Sequence, residues 1–260
     1  MSLKTFLLAI AALFTLFAFP AEGSTASAAE SEKNRDYTFV LVHGASGGGW
    51  DWRTMDELLT TRGHTVYRPT QTGLGERTHL NSPEVNLTTH VTDVVNVIRF
   101  ENLENVVLVG HSYGGMVITG VMDAIPERIR HAVFLDAAVP ENGQSAQDFW
   151  PGITADHQVK NGIVYFKWLD PAGHVPGDVP QSLATLTEPV SFDNPAALDL
   201  PATLIEFIAE GASPADLAGN PAWRIAGKRD WIRLTLVSDH NAQRSHPEEL
   251  AEMLEAAPDR

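Results

Sequence analysis

The chain has 260 residues, no cysteine, and 33 acidic against 18 basic residues, for a formal net charge of −15 at pH 7. A chain this acidic is repelled by nucleic acid and by anionic membranes, so neither is expected as a partner. The absence of thiols excludes disulfides, thiolate metal sites and a cysteine nucleophile.

The first residues read as an address. Lys4 precedes an uncharged apolar run over 6–19, and small residues ending in Ala26-Ser27-Ala28 follow it, the layout of a secretory signal peptide spanning 1–28. The run is shorter than the ~20 residues of a spanning helix. No cysteine follows it for lipid attachment, so no stable membrane anchor is expected. The expectation is an exported protein, periplasmic or secreted, whose mature chain (29–260) forms one domain.

Residues 37–42 form a β-branched and aromatic run that reads as a buried strand, closed by His43-Gly44. Over 52–61, Met55, Leu58 and Leu59 recur at helical spacing, and 64–67 reads as a second strand stopped by Pro69. Residues 87–100 are amphipathic, with Val91, Val94, Val95 and Ile98 on one side. Val106-Val107-Leu108-Val109 is a purely apolar strand, 113–124 the helix after it, and 131–136 another strand. Strands over 202–207 and 232–237 and a helix over 247–256 close the chain. Strands alternating with helices predict an α/β fold with a mostly parallel central sheet. The segment 140–201 breaks the alternation: it is rich in Pro and Gly and carries Phe149, Trp150, Tyr165, Phe166, Trp168 and Phe192. It is expected to be an inserted lid whose aromatics line an apolar pocket, or else form a small core of their own.

Between the third strand and its helix lies Gly110-His111-Ser112-Tyr113-Gly114, a G-x-S-x-G sequence. In that setting the pattern is a nucleophile elbow, a sharp turn that lifts Ser112 Oγ clear of the sheet and needs glycines where a Cβ would collide. A serine hydroxyl needs a base to become nucleophilic. Elbows of this type are followed in chain order by an acid and then by a histidine after the last strand. His240, in Ser238-Asp239-His240-Asn241, has that position. His246 reads as the start of the final helix, His111 as pointing back into the fold and His43 as structural, while His79, His157 and His174 could reach the pocket or be solvated. The oxyanion formed on attack needs preorganised N–H donors. The Tyr113 amide is one, and the loop 43–50 should supply the other, most simply from Ala45. That loop lacks the Lys-Ser/Thr of a phosphate cradle. No H-E-x-x-H or similar ligand spacing occurs, so no metal is expected.

His43-Gly44-Ala45, Gly48-Gly49-Trp50, Thr72-Gly73-Leu74-Gly75, the elbow followed by Gly115, and Asp239-His240 resemble the α/β-hydrolase superfamily. Within it they resemble the branch of plant methyl-ester hydrolases, hydroxynitrile lyases and bacterial esterase relatives. The resemblance implies an α/β-hydrolase fold and a serine hydrolase that acts on a small ester or lactone with no cofactor. In the lyases of this branch a lysine follows the catalytic histidine, where this chain has Asn241. A ligand-binding protein on the same fold is the third reading. The plant branch also places its acid just after the second-last strand, where this chain has no Asp, only Glu206 and Glu210. Asp136, at the carboxyl end of an earlier strand, is the expected acid, with Glu210 the alternative.

Overall fold

A strand covered on both faces requires an unbroken apolar run rather than alternation, and the runs at 106–109 and 132–135 occupy the middle of the sheet. The structure, a computed structural model, describes residues 36–260; the expected signal peptide lies outside them. In chain order, β1 (Thr38–Val42) leads through a short 3-10 turn (Gly49–Trp52) into α1 (Arg53–Thr61), β2 (Thr65–Tyr67), α2 (Leu87–Phe100), β3 (Val106–His111), α3 (Gly114–Ala124) and β4 (Ile129–Leu135). An insertion follows, made of α4 (Ala146–Phe149), α5 (Gly152–Ala155), an antiparallel set β5 (Gln158–Lys160), β6 (Ile163–Tyr165) and β7 (Gln181–Ser182), then α6 (Ala184–Thr187) and α7 (Pro195–Leu198). The chain then returns to the main sheet with β8 (Ala202–Ile208), α8 (Pro221–Lys228), β9 (Ile232–Val237), α9 (Ala242–Ser245) and α10 (Pro247–Ala256).

The main sheet is parallel throughout, in the order β2-β1-β3-β4-β8-β9. Side chains alternate between its faces. Val40, Val42, Val106, Leu108 and Phe134 pack with α2, α3 and the insertion, while Phe39, Leu41, Val107, Val109 and Leu135 pack with α1 and α10. Strand order reverses direction between β1 and β3, since the chain first steps out to β2 and then returns to the far side of β1. In open α/β sheets this reversal opens a crevice at the strands' carboxyl ends. The loop after β1 and the turn after β3 both end there.

The strand expected over 131–136 instead runs Ile129–Leu135, so Asp136 lies one residue beyond it. Outside the insertion, two helices lie beyond the expected elements. α8 begins at Asn220-Pro221, where the Asn220 side chain accepts from the Trp223 amide and proline occupies the first turn. α9 is a single turn between His240 and the last helix.

Candidate active site

The turn after β3 is strained as an elbow must be. Ser112 has φ +54°, a left-handed conformation rare for a residue with a Cβ. Three hydrogen bonds hold it: the Ser112 amide donates to the Leu135 carbonyl, and the Ser112 carbonyl accepts from the amides of Gly115 and Ala138, each at 3.1 Å. The glycines around it are required by contact. A Cβ on Gly110 would lie 2.8 Å from the Gly114 carbonyl oxygen, and one on Gly114 2.7 Å from that of Val42.

Ser112, His240 and Asp136 meet in one hydrogen-bonded line. His240 Nε2 is 3.0 Å from Ser112 Oγ, and His240 Nδ1 is 2.5 Å from Asp136 Oδ2. A carboxylate only accepts, so Nδ1 carries the proton and Nε2 is left to receive one from the serine. The His240 main chain is fixed from behind, where His111 Nε2–H donates to its carbonyl at 2.7 Å. Burial and the adjacent His240 lower the His111 pKa to about 4, so His111 stays neutral beside the working imidazole. Asp136 also has a left-handed backbone, φ +41°, and its amide donates to the Ile205 carbonyl at 2.8 Å. Burial alone would raise its pKa, but the hydrogen bond and charge of His240, together with a hydrogen bond from Glu206, hold it below the usual carboxylate range.

The start of α3 and the loop after β1 are similarly fixed. Tyr113 precedes the first turn of α3, where backbone N–H groups have no partner inside the helix. Its buried hydroxyl bonds His90 Nδ1 at 3.0 Å, and His90 Nε2–H donates to the Thr72 carbonyl at 2.9 Å. Ala45 lies on the cavity wall beside Ser112. His43 is structural: its Nδ1–H donates to the Gly44 carbonyl and its Nε2 accepts from the Gln71 amide, which folds the loop that carries Ala45. Ser46, at φ +60°, ties this loop to the insertion. Its Oγ accepts from Trp168 Nε1 at 2.9 Å, its carbonyl from the Val179 amide, and its amide donates to Gln181 Oε1.

Above the serine is a cavity of about 950 Å³. The insertion contributes Phe149, Trp150, Ile153 and Trp168 to its walls, as well as His157. Of the other insertion aromatics, Phe166 and Phe192 are buried in the core and Tyr165 is exposed. The segment thus both lines the cavity and packs into the main core of the domain, rather than forming a core of its own. Glu210 is exposed and outside the cavity, His79 and His174 do not line it, and His246 immediately precedes α10, its Nδ1 3.0 Å from Ser238 Oγ.

Several polar residues of the cavity wall, among them Glu206, Asn220 and Arg244, have no site role in the sequence analysis. Glu206 was visible as a lone carboxylate in the apolar run Thr203-Leu204-Ile205-Glu206-Phe207-Ile208, a signal that something must accept it. Asn220 and Arg244 gave no comparable signal. Arg244 is held by an ion pair to the buried Asp51 and lies over the Trp50 ring at 4.8 Å.

Comparison with known proteins agrees with this fold. The model of the alpha/beta hydrolase family matches residues 39–259. The chain belongs to that family. A carbendazim hydrolyzing esterase of a Nocardioides species is 54% identical over 113 residues, 44% of this chain and 47% of that protein. Methylesterase 2 of Arabidopsis thaliana is 35% identical over 126 residues, 44% of each. The matched stretches thus span about half the length of these curated relatives. The fold as a whole is similar to that of an extracellular alpha/beta-hydrolase from a Paenibacillus species, with a TM-score of 0.68 at 23% identity over 85% of this chain and 98% of that one.

Proposed function

We propose that this protein is a serine esterase that cleaves a small, apolar or aromatic carboxylic ester, or a lactone, through an acyl-enzyme. The observation that carries the proposal is the hydrogen-bonded line Ser112–His240–Asp136 on the floor of a cavity walled by aromatics. The names of the relatives in Nocardioides and Arabidopsis support ester chemistry on this scaffold.

In this reading Ser112 Oγ attacks the ester carbonyl as its proton passes to His240 Nε2, and Asp136 stabilises the imidazolium. The developing oxyanion is received by the amides of Tyr113 and Ala45. Collapse expels the alcohol, which takes the proton from His240. Water, activated by the same imidazole, then attacks the acyl-enzyme and regenerates Ser112. The apolar walls favour acyl or alcohol groups of the same character. Export behind residues 1–28 belongs to the same proposal.

The test is a panel of nitrophenyl esters of rising acyl length, run on wild type and Ser112→Ala, with fluorophosphonate labelling in parallel. Wild type should hydrolyse the short esters and take up one label per chain, and Ser112→Ala should do neither. Label on Ser112→Ala, or no hydrolysis of any ester by folded wild type, would overturn the assignment.

A further inference from the structure

Behind the triad acid sits a second carboxyl. Glu206 is on β8, and β4 and β8 run side by side with Leu135 opposite Ile205, so the next residue on each strand is Asp136 and Glu206. The Glu206 residue is 3% exposed, and its carboxyl meets that of Asp136. Asn220, at the start of α8, donates from Nδ2 to Glu206 Oε2 at 3.0 Å. A buried carboxyl in contact with a partly buried one disfavours ionisation of both, because like charges at hydrogen-bond distance repel strongly where solvent is scarce. One proton is therefore shared between them, and the neighbours decide which carboxyl keeps it. Asp136 faces two imidazoles, His240 from the loop after β9 and His111 from the end of β3. Among the described residues, the side chains that act on the Glu206 carboxyl are Asp136 and Asn220, neither of them basic. The charge belongs on Asp136 and the proton on Glu206.

We infer that Glu206 is a neutral acid that donates a hydrogen bond to Asp136 and thereby positions the carboxylate on which His240 depends. Its two oxygens divide the work, Oε2 accepting from Asn220 while the hydroxyl donates to Asp136. Burial and the adjacent Asp136 charge push the Glu206 pKa up to about 8, consistent with that assignment. Glu206 does not touch the reacting atoms; it acts through Asp136. The donor spreads the Asp136 charge and fixes the carboxylate's rotation, so that one oxygen meets Nδ1 of His240.

The inference rests on the proposed hydrolysis, but part of its test does not. Glu206→Gln keeps a donor for Asp136, an acceptor for Asn220 and zero charge. Glu206→Met has similar length and neither group. In Glu206→Met the kcat for a nitrophenyl ester should fall roughly tenfold, the value of a hydrogen bond to a charged group, with KM within about twofold. Asp136 without its donor holds the imidazolium more tightly, so the acid limb of the pH profile should move to higher pH. The titration of the His240 ring, followed by NMR, should move with it. Glu206→Gln should lie near wild type in all three readouts. Thermal melting checks that both variants are folded.

A Glu206→Gln variant as impaired as Glu206→Met would overturn the inference, as would an unshifted His240 titration in Glu206→Met. A His240 titration displaced to lower pH in Glu206→Gln would show that Glu206 had been ionised, and would also overturn it. The NMR readout needs no turnover, so it decides even if wild type hydrolyses no ester, an outcome that would defeat the proposed function separately.

Discussion

Replacing Gly115 by alanine would place a Cβ 2.1 Å from the Ala138 carbonyl oxygen and 3.1 Å from the Ala137 Cβ. Contacts under 3.0 Å are essentially never seen, so helix α3 and the strap 137–138 must separate by roughly 1 Å in a close-packed interior. Neither side can yield privately. The Gly115 and Ala138 amides both bind the Ser112 carbonyl, and Asp136 lies two residues before Ala138. The displacement therefore reaches both Ser112 and Asp136. Overpacking of this kind costs about 1–3 kcal/mol, which for a domain of this size lowers Tm by roughly 2–12 °C. The effect on rate should be larger in proportion, because a misplacement of ~1 Å at reacting groups can cost on the order of 100-fold. Gly219→Ala is the matched control, since nothing lies within 4 Å of its Cβ position. Melting curves and kcat for a nitrophenyl ester would be measured on both variants and wild type. A Gly115→Ala enzyme with near wild-type kcat and Tm would refute the argument that α3 and the strap jointly position the site.

Asp136→Asn should lose activity on the order of 10⁴-fold while remaining folded, since an amide permits the wrong histidine tautomer. Glu210→Gln should be nearly silent, and the reverse pattern would transfer the role to the end of β8. Trp168→Ala should alter the ranking of esters by chain length more than it alters Tm, because half of this ring is exposed on the cavity wall. An unchanged ranking with a large loss of Tm would make Trp168 a core residue. Stability should fall with acid. Burial lowers the pKa of His43, of His90 to about 3, and of His111 and His131 to about 4. The unfolded chain takes up protons on these side chains below about 6.5 while the folded one does not. Stabilisation is thus complete above that pH and is lost as pH falls toward about 4. Glu206, between about 4.5 and 8, and Asp178, whose pKa burial also raises, work in the opposite sense, two groups against these four. Equal Tm at pH 7.5 and pH 4.5 would contradict this reasoning.

Much of this site could be read from the chain because its chemistry is local. The elbow announces itself through glycines flanking a serine after an unbroken apolar strand, and His240 follows from its place after the last strand. The choice of Asp136 over Glu210 was harder, since both follow a strand and only lateral pairing tells which one meets the histidine. Glu206 shows the limit most clearly. Its side chain is intelligible only once β4 and β8 are known to be neighbours, although Pro140 and Pro201 bracket a long insertion between them. Pairing across such a distance leaves no periodic trace. The helix start at Asn220-Pro221, by contrast, was written in capping residues and could have been read.

The attachment of Ser46 to the insertion restricts how a guest molecule gains entry. Trp168, Val179 and Gln181 all grip the same residue, next to Ala45. The insertion over Ser112 and the loop that carries Ala45 are therefore tied together at one residue. Lifting the insertion away from this loop would have to break all three hydrogen bonds, each worth about 0.5–1.5 kcal/mol net. For an engineer, the way to a new clientele is to recarve the ring face of Trp150 while leaving the Ser46 attachment, Trp168 included, in place.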